Sequence, residues 1–325
     1  MPSFRKTLGI AVAGLAAVSS ALPAVPKLSD RQMRIYEHAK RQNDAAAALG
    51  LNDIDILQFA LTLEWLEATF YQQGFAKFPA SDFQAIGLSQ EQIDALLKVG
   101  KTEQDHVVLL QSAIAQANVQ PVQPCTYNFG FTNAAGMVAT AAVLENVGVS
   151  AYLGAAALLS DGSILTTAGS ILTVEARHQT FIRAASGSVP VPQAFDTPLS
   201  PRQVFSLAAP FIESCPDGSN LILTPFPTLA MAEGGGAASD QAIAAGATVR
   251  LTSDAAGQAT HCAFTTGGLP GGGTAFTPFD PAAGACTVPQ GLAGLTYVNL
   301  ASAGPLDGTL TDDIIVAGPM VMQVS

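Results

Sequence analysis

The spacing of hydrophobic residues divides the chain into two regions. In residues 52–215, apolar side chains recur every three or four positions in long runs of helix-forming residues, a pattern typical of helices that bury one face. Residues 225–325 contain short β-type runs separated by Gly, Pro and Asp, a pattern typical of short strands. We therefore predict an α+β multidomain fold in which a four-helix bundle precedes a small antiparallel β-sandwich.

Four long helices are predicted in the first region, over residues 53–76, 89–117, 132–158 and 163–185. The second begins at Ser89, where the sequence Ser-Gln-Glu-Gln resembles a capping box. A shorter helix is predicted after Ser200, with Pro201 at its first position. Proline is tolerated there because an amide hydrogen at the first position of a helix has no acceptor within the helix.

Four strands are predicted in the second region, over residues 247–253, 260–266, 295–302 and 314–324. The predicted domains are a bundle in 52–215, a linker in 216–246 and a β-sandwich in 247–325. His261 falls within a strand, and we interpret it as a structural residue and not as a ligand.

The first 25 residues have the features of a secretory signal. Arg5 and Lys6 precede an apolar run that ends in small residues. A lone transmembrane anchor is the alternative, but the run is short and contains Gly and Ser. We expect residues 1–25 to be removed, leaving an N-terminal segment 26–51 and a secreted protein, free or bound to the cell wall, without membrane contact.

Composition and charge exclude two classes of partner. Hydrophobic residues make up 49% of the chain and charged residues 12%, so we expect a sizeable core. The formal net charge of −11 leaves no basic patch for phosphate groups. This argues against nucleic acid and against an anionic membrane surface as partners.

The four cysteines predict two disulfides in an oxidising compartment. The sequence allows three ways of pairing them. Their positions in the two regions favour Cys125 with Cys215, and Cys262 with Cys286.

Two of the four histidines follow a glutamate by three positions. Glu103 precedes His106 and Glu175 precedes His178, each within a predicted long helix. This offset puts both side chains on one helix face, where a carboxylate and an imidazole can bind one metal ion. Because the pair occurs twice, it predicts metal binding more strongly than one pair would.

The other two long helices share a second pattern. A Leu-Glu pair is followed by tyrosine seven positions after the glutamate, as Glu64 with Tyr71 and as Glu145 with Tyr152. Glu145 lies in an almost wholly apolar run, where an unpaired carboxylate would be costly to bury. The chain thus contains the same helix pair twice, Leu-Glu…Tyr and then Glu-x-x-His.

This is the ligand pattern of ferritin-like bundles that hold two iron or two manganese ions. Four carboxylates nearly neutralise two divalent ions, whereas without metal they would repel one another. The predicted metal ligands are Glu64, Glu103, His106, Glu145, Glu175 and His178. The expected cofactors are two Fe or two Mn ions per chain, and the sequence leaves open which glutamates bridge them.

The chain resembles secreted fungal ferritin-like proteins in its segment ALTLEWLEATFYQQG, its two Glu-x-x-His motifs and its C-terminal IIVAGPMVMQV. These relatives are known as stress-response or late-sexual-development proteins, and they are similar to plant desiccation-related proteins. The helical resemblance covers about residues 50–215, and the closer family would include the β region. It implies a role in oxidative or desiccation stress.

Both Glu-x-x-His motifs depart from the pattern of many ferritins, which place Asp two residues after each ligand histidine. Val108 and Thr180 occupy these positions here, so the groups that orient the imidazoles must differ from those of such ferritins. Asp105 and Arg177 each lie just before a histidine, and either pair with each other across the helices or are unrelated solvent-facing charges.

Three further residues are candidates for contact with the ligands. Glu67 follows Glu64 by three positions and is either a seventh polar group near the metals or a rim residue. Tyr71 and Tyr152 are expected to pack in the core and to hydrogen-bond a ligand carboxylate of the opposite half.

The leading hypothesis is a secreted di-metal protein that acts on small oxygen species. Iron would favour ferroxidase or peroxide-reducing activity, and manganese would favour disproportionation of hydrogen peroxide. The alternative is a non-catalytic protein of the cell wall or spore surface that binds metal or is stabilised by it. Enzyme activity and oligomeric state are left open.

Overall fold

A computed structural model describes residues 50–219, 223–232, 242–269 and 273–325. All of them belong to one compact unit, His38–Ser325. The predicted signal segment lies outside the described residues, as do nearly all of the N-terminal segment and part of the predicted linker.

The described part contains six α-helices: α1 Asp53–Lys77, α2 Ala80–Ala85, α3 Gln90–Gln116, α4 Ala134–Ala156, α5 Gly162–Ala185 and α6 Pro201–Ala208. Four are the predicted long helices, and α6 is the predicted shorter one. The predicted Ser89 and Ser200 cap the N-termini of α3 and α6, and each forms a capping box. The short α2 fills a segment for which no helix was predicted.

The four long helices form the predicted bundle. α1 packs along α3 and α4 packs along α5, and contacts of α1 with α4 and of α3 with α5 join the two pairs. Within the described ranges, α4 alone is long and apolar enough to cross a membrane by length and composition. Most of it is buried among the other helices, as expected of a central bundle helix.

Nine strands lie in the described ranges: β1 Thr126–Tyr127, β2 Ile212–Ser214, β3 Ala230–Met231, β4 Thr248–Thr252, β5 His261–Thr265, β6 Thr274–Pro278, β7 Ala285–Thr287, β8 Gly294–Ala301 and β9 Ile315–Val324. They form two antiparallel sheets, β6-β5-β8-β9 and β3-β4-β7, and a small β1-β2 ribbon. Apolar side chains of both sheets share one core.

The α+β fold class is therefore confirmed. The predicted strands correspond to β4, β5, β8 and β9. β6 was not predicted, although its five residues equal β4 and β5 in length. β3 and β7, at two and three residues, are too short to show an alternating pattern. The exact domain boundaries stay a prediction.

Both favoured disulfides are present. Cys125 and Cys215 flank the β1-β2 ribbon with an S–S distance of 2.02 Å, and Cys262 of β5 is bonded to Cys286 of β7. The second bond links the two sheets. Two disulfides are consistent with an extracellular protein.

Tyr297 of β8 connects the larger sheet to the bundle. Its side chain is fully buried and belongs to the apolar core formed by the helices. Its hydroxyl accepts a hydrogen bond from Asn146 Nδ2 and lies 2.9 Å from Ser150 Oγ, both on α4. The sheet thus supports the face of α4 next to Glu145.

Candidate metal centre

Each long helix of the bundle contributes at least one glutamate to the same interior space. Glu64 on α1, Glu103 on α3, Glu145 on α4 and Glu175 on α5 are all 0% exposed. Buried apolar residues of the same four helices surround these glutamates. The carboxyl groups are therefore shielded from solvent by the packing of the helices. Four buried carboxyl groups in one place require compensation by protons or cations.

The two predicted histidines face these carboxyls through Nδ1. His106 Nδ1 lies 3.0 Å from Glu103 Oε2 and 3.2 Å from Glu64 Oε2. His178 Nδ1 lies 2.7 Å from Glu103 Oε1 and 3.1 Å from Glu145 Oε2. The imidazoles are 8% and 7% exposed, and their ring centroids are 6.2 Å apart.

These six residues fall into two overlapping groups with metal-ligand chemistry. Glu64 and His106 form one group with Glu103 and Glu175, and Glu145 and His178 form the other with the same two glutamates. Within each group, one donor atom per residue lies within 4.8 Å of all the others. Glu103 and Glu175 are the members common to both groups.

Three carboxylate oxygens at the centre of the cluster have no hydrogen-bond partner among the described residues. They are Glu103 Oε1 and both oxygens of Glu175. Imidazole nitrogens come as near as 2.7 Å and 3.3 Å, but the geometry is not that of a hydrogen bond. Buried acceptors without donors are costly, and a cation bound between them would remove that cost. The residues present therefore fit divalent metal ions.

The pKa values show the same excess of negative charge when no metal is bound. Burial raises the pKa of Glu64 to about 7 and that of Glu175 well above its usual range. Although burial favours its protonated form, contacts with His106 and His178 lower the pKa of Glu103 to about 2. Burial opposes the charged imidazoles, but the carboxylates raise the pKa of His106 to about 12 and that of His178 to about 9.

The tyrosines make the expected hydrogen bonds across the two halves of the bundle. Tyr71 of α1 donates a hydrogen bond to Glu145 Oε1 on α4. Tyr152 of α4 donates to Glu64 Oε1 on α1 at 2.5 Å. Each hydroxyl occupies one oxygen of a carboxylate and leaves the other turned towards a histidine. The two bonds orient the outer glutamates of the cluster.

Glu67 lies inside the cluster and is not a rim residue. It is 4% exposed, and its pKa is raised well above the usual range by burial and by the charge of Glu175. Its carboxyl group faces Gly148 of α4: a Cβ there would lie 3.1 Å from Glu67 Oε1 and 2.5 Å from Glu175 Oε2. Gly148 thus leaves room for two carboxyl groups.

Gly148 was missed at the sequence level, although the repeat contains a signal. It follows Glu145 by three positions, as Glu67 follows Glu64. One half of the repeat therefore carries an additional acid, and the other half carries the glycine that accommodates it.

Thr102 is a second residue that the sequence did not reveal. Its Oγ1 lies 3.0 Å from His178 Nε2 and donates its hydrogen to the carbonyl of Val99 at 2.6 Å. Because a hydroxyl has one hydrogen, Thr102 accepts from Nε2–H, and Nδ1 of the neutral imidazole then remains free to bind metal. Thr102 takes the orienting role that Asp plays in many ferritins.

The residues at the Asp positions do not contact the imidazoles. Val108 is 55% exposed, and Thr180 donates to the backbone carbonyl of Ala176. The speculated pair of Asp105 and Arg177 is not formed within the described residues. Asp105 instead pairs with Lys101 at 3.0 Å, because Lys101 lies one turn earlier on the same exposed helix face.

The bundle and its buried residues define a class of protein: a helical bundle with a carboxylate–histidine centre. Residues 52–188 match the family of the ferritin-like domain. This part of the chain is therefore similar to the ferritin-like domain, as its motifs indicated.

A curated fungal protein is also similar to this chain. Protein rds1 of Schizosaccharomyces pombe is 26% identical over 178 residues, which cover 54% of this chain and 44% of the relative. The match thus spans less than half the length of that protein.

Proposed function

We propose that this chain binds two divalent metal ions, iron or manganese, and uses them in redox chemistry on small oxygen species. The observation that carries the proposal is the group of unpartnered carboxylate oxygens on Glu103 and Glu175, held against two histidines. These two glutamates would be shared between the ions. Glu64 with His106, and Glu145 with His178, would complete the two sites.

The bound metals would carry the electrons. Ferrous iron would pass them to oxygen or peroxide in ferroxidase or peroxide-reducing activity, and manganese would pass them between two molecules of hydrogen peroxide, one oxidised to oxygen and the other reduced to water. The protein residues do the rest. Tyr71 and Tyr152 hold the outer carboxylates, and Thr102 holds one imidazole. Glu67 lies beside Glu175 with its pKa raised by burial, so it is placed to hold and pass on a proton within the cluster.

The proposed setting is extracellular, in protection against oxidative or desiccation stress. The two disulfides support an oxidising compartment. The stress role rests on the resemblance to secreted fungal ferritin-like proteins.

Metal analysis tests the centre. The mature protein should contain about two Fe or Mn ions per chain, and H106A or H178A should lose most of this metal. H261A is the matched control, since His261 lies on β5 and belongs to neither ligand group. Metal-free protein that takes up neither ion on titration would contradict the proposal.

Peroxide consumption then tests the chemistry. Protein loaded with iron or with manganese should consume hydrogen peroxide, and H106A should not. Full metal content with no activity towards oxygen or peroxide in either form would favour the non-catalytic, metal-stabilised alternative.

A further inference from the structure

An apolar cavity lies at one end of the bundle, between α1, α3, α4 and α5. Its volume is about 270 Å³. Buried side chains such as Ile56, Phe59 and Leu110 form its deep wall. Gln116, Ser163 and Thr167, which are exposed, lie at its mouth. We call it the end cavity.

Among the described residues, the side chains that line the end cavity carry no charge at neutral pH. Apart from the mouth residues, Tyr152 is the one polar side chain of this described lining. Next to the mouth, Asp161 accepts hydrogen bonds from the backbone N and Oγ of Ser163. An anionic ligand would therefore meet an apolar wall and a negative charge, whereas a neutral apolar ligand would gain from burial.

The end cavity reaches the metal centre through one layer of side chains. Tyr152 lines the cavity, and its hydroxyl donates the 2.5 Å hydrogen bond to Glu64 Oε1. Leu63, the neighbour of Glu64 in sequence, lines it too. Glu64 itself is 0% exposed. A molecule in the cavity would thus contact Tyr152, which orients the metal-binding carboxyl group of Glu64, without contacting Glu64 itself.

We propose that the end cavity binds a neutral, mainly apolar molecule of about ten non-hydrogen atoms, with its alcohol or carbonyl group at the mouth. An empty apolar cavity of about 150 Å³ accommodates benzene, so a volume nearly twice as large suits a ligand of this size. The three polar side chains at the mouth can hydrogen-bond one neutral polar group. This binding does not depend on the proposed function, although Tyr152 lies between the cavity and Glu64 of the metal centre.

Fluorescence titration of the full mature chain tests the proposal, with 1-aminonaphthalene as a neutral probe of the proposed size. 1-Decanol should displace the probe at concentrations about tenfold lower than decanoate requires. No probe binding by the full chain would overturn the proposal, and so would displacement by decanoate as effective as by 1-decanol.

Two pairs of variants locate the binding site. A113F fills the cavity from α3, and its control A115F adds the same ring on an exposed position of that helix. T167F covers the mouth, and its control is T166F. Thr166 and Thr167 are both exposed, and each donates a hydrogen bond to the carbonyl four residues earlier.

A113F and T167F should each weaken probe binding at least about tenfold, and both controls should stay within about twofold of the parent. Since Thr167 is exposed, T167F keeps the test valid if A113F fails to fold. Equal affinities of T167F and T166F would overturn the assignment.

Metal content, measured on the same samples, separates the two proposals. Probe binding by a chain that takes up no metal would support the end cavity and overturn the metal centre. Metal uptake without probe binding would overturn the end cavity alone.

Discussion

At the scale of single residues, the interior of the bundle contains more acid than its own bases can neutralise. Glu64, Glu67 and Glu175 have raised pKa values because they are buried near one another, and two imidazoles are the available bases. In the absence of metal, protons must therefore occupy part of the site. Metal ions and protons compete for the same oxygens.

This competition predicts how pH affects stability. The pKa of Glu64 is raised from 4.5 to about 7 on folding, so the stability it contributes is complete below pH 4.5 and is lost as the pH rises through 7. His178 is raised from 6.5 to about 9, so its contribution is complete below 6.5 and is lost as the pH rises through 9. Metal-free protein should lose stability over this range, whereas metal binding should strengthen.

Thermal unfolding with Mn²⁺ and with a chelator measures the difference. The gap between the two Tm values should widen as the pH is raised from about 5 to about 8. A gap that stays constant with pH would show that these groups do not hold the metal.

At the scale of elements, the separation of the helices decides whether the centre can form. α4 carries Gly148 at the point where the carboxyls of Glu67 and Glu175 approach it. A glycine inside a helix normally costs about 1 kcal/mol relative to alanine. The missing side chain instead provides space for two acids.

We expect G148A to disrupt the metal centre while leaving the helix intact. The added methyl group would displace Glu175 or Glu67 and lower the metal affinity about tenfold to a hundredfold. The control is G169A on α5, where a Cβ would meet nothing within 4 Å. G169A should bind metal normally and be slightly more stable. Equal metal affinities of the two variants would contradict this role of Gly148.

At the scale of the whole molecule, the β-sheet supports the back of the metal-binding helices. Asn146 lies next to Glu145 and bonds both Tyr297 of β8 and Gln179, the neighbour of His178. This chain of hydrogen bonds joins β8, α4 and α5 one layer outside the centre. The β region is therefore part of what holds these helices in place.

Y297F should destabilise the protein by about 1–3 kcal/mol, because Asn146 and Ser150 lose a buried partner. Urea unfolding of metal-free protein would measure the loss. Y127F is the control: Tyr127 is also buried, but its hydroxyl accepts one longer bond, of 3.3 Å, from the backbone N of Cys125. A loss no larger in Y297F than in Y127F would argue against a supporting role for the sheet.

The sequence by itself determined the features that depend on local geometry. The spacing of Glu103 and His106, repeated in Glu175 and His178, places each pair on one helix face through the period of the α-helix alone. The apolar run around Glu145 marked that glutamate as buried. The four long helices, the strands β4, β5, β8 and β9, and the favoured disulfide pairing followed from periodicity and from position in the chain.

Tertiary structure alone decided the features that depend on distances between elements. Glu103 and Glu175 are the shared glutamates because α3 and α5 bring them to the middle of the cluster. Thr102 contacts a histidine 76 positions later, and Tyr297 contacts a helix 151 positions earlier. No spacing along the chain encodes such contacts, because they arise only when the helices and the sheet pack at a particular separation and rotation.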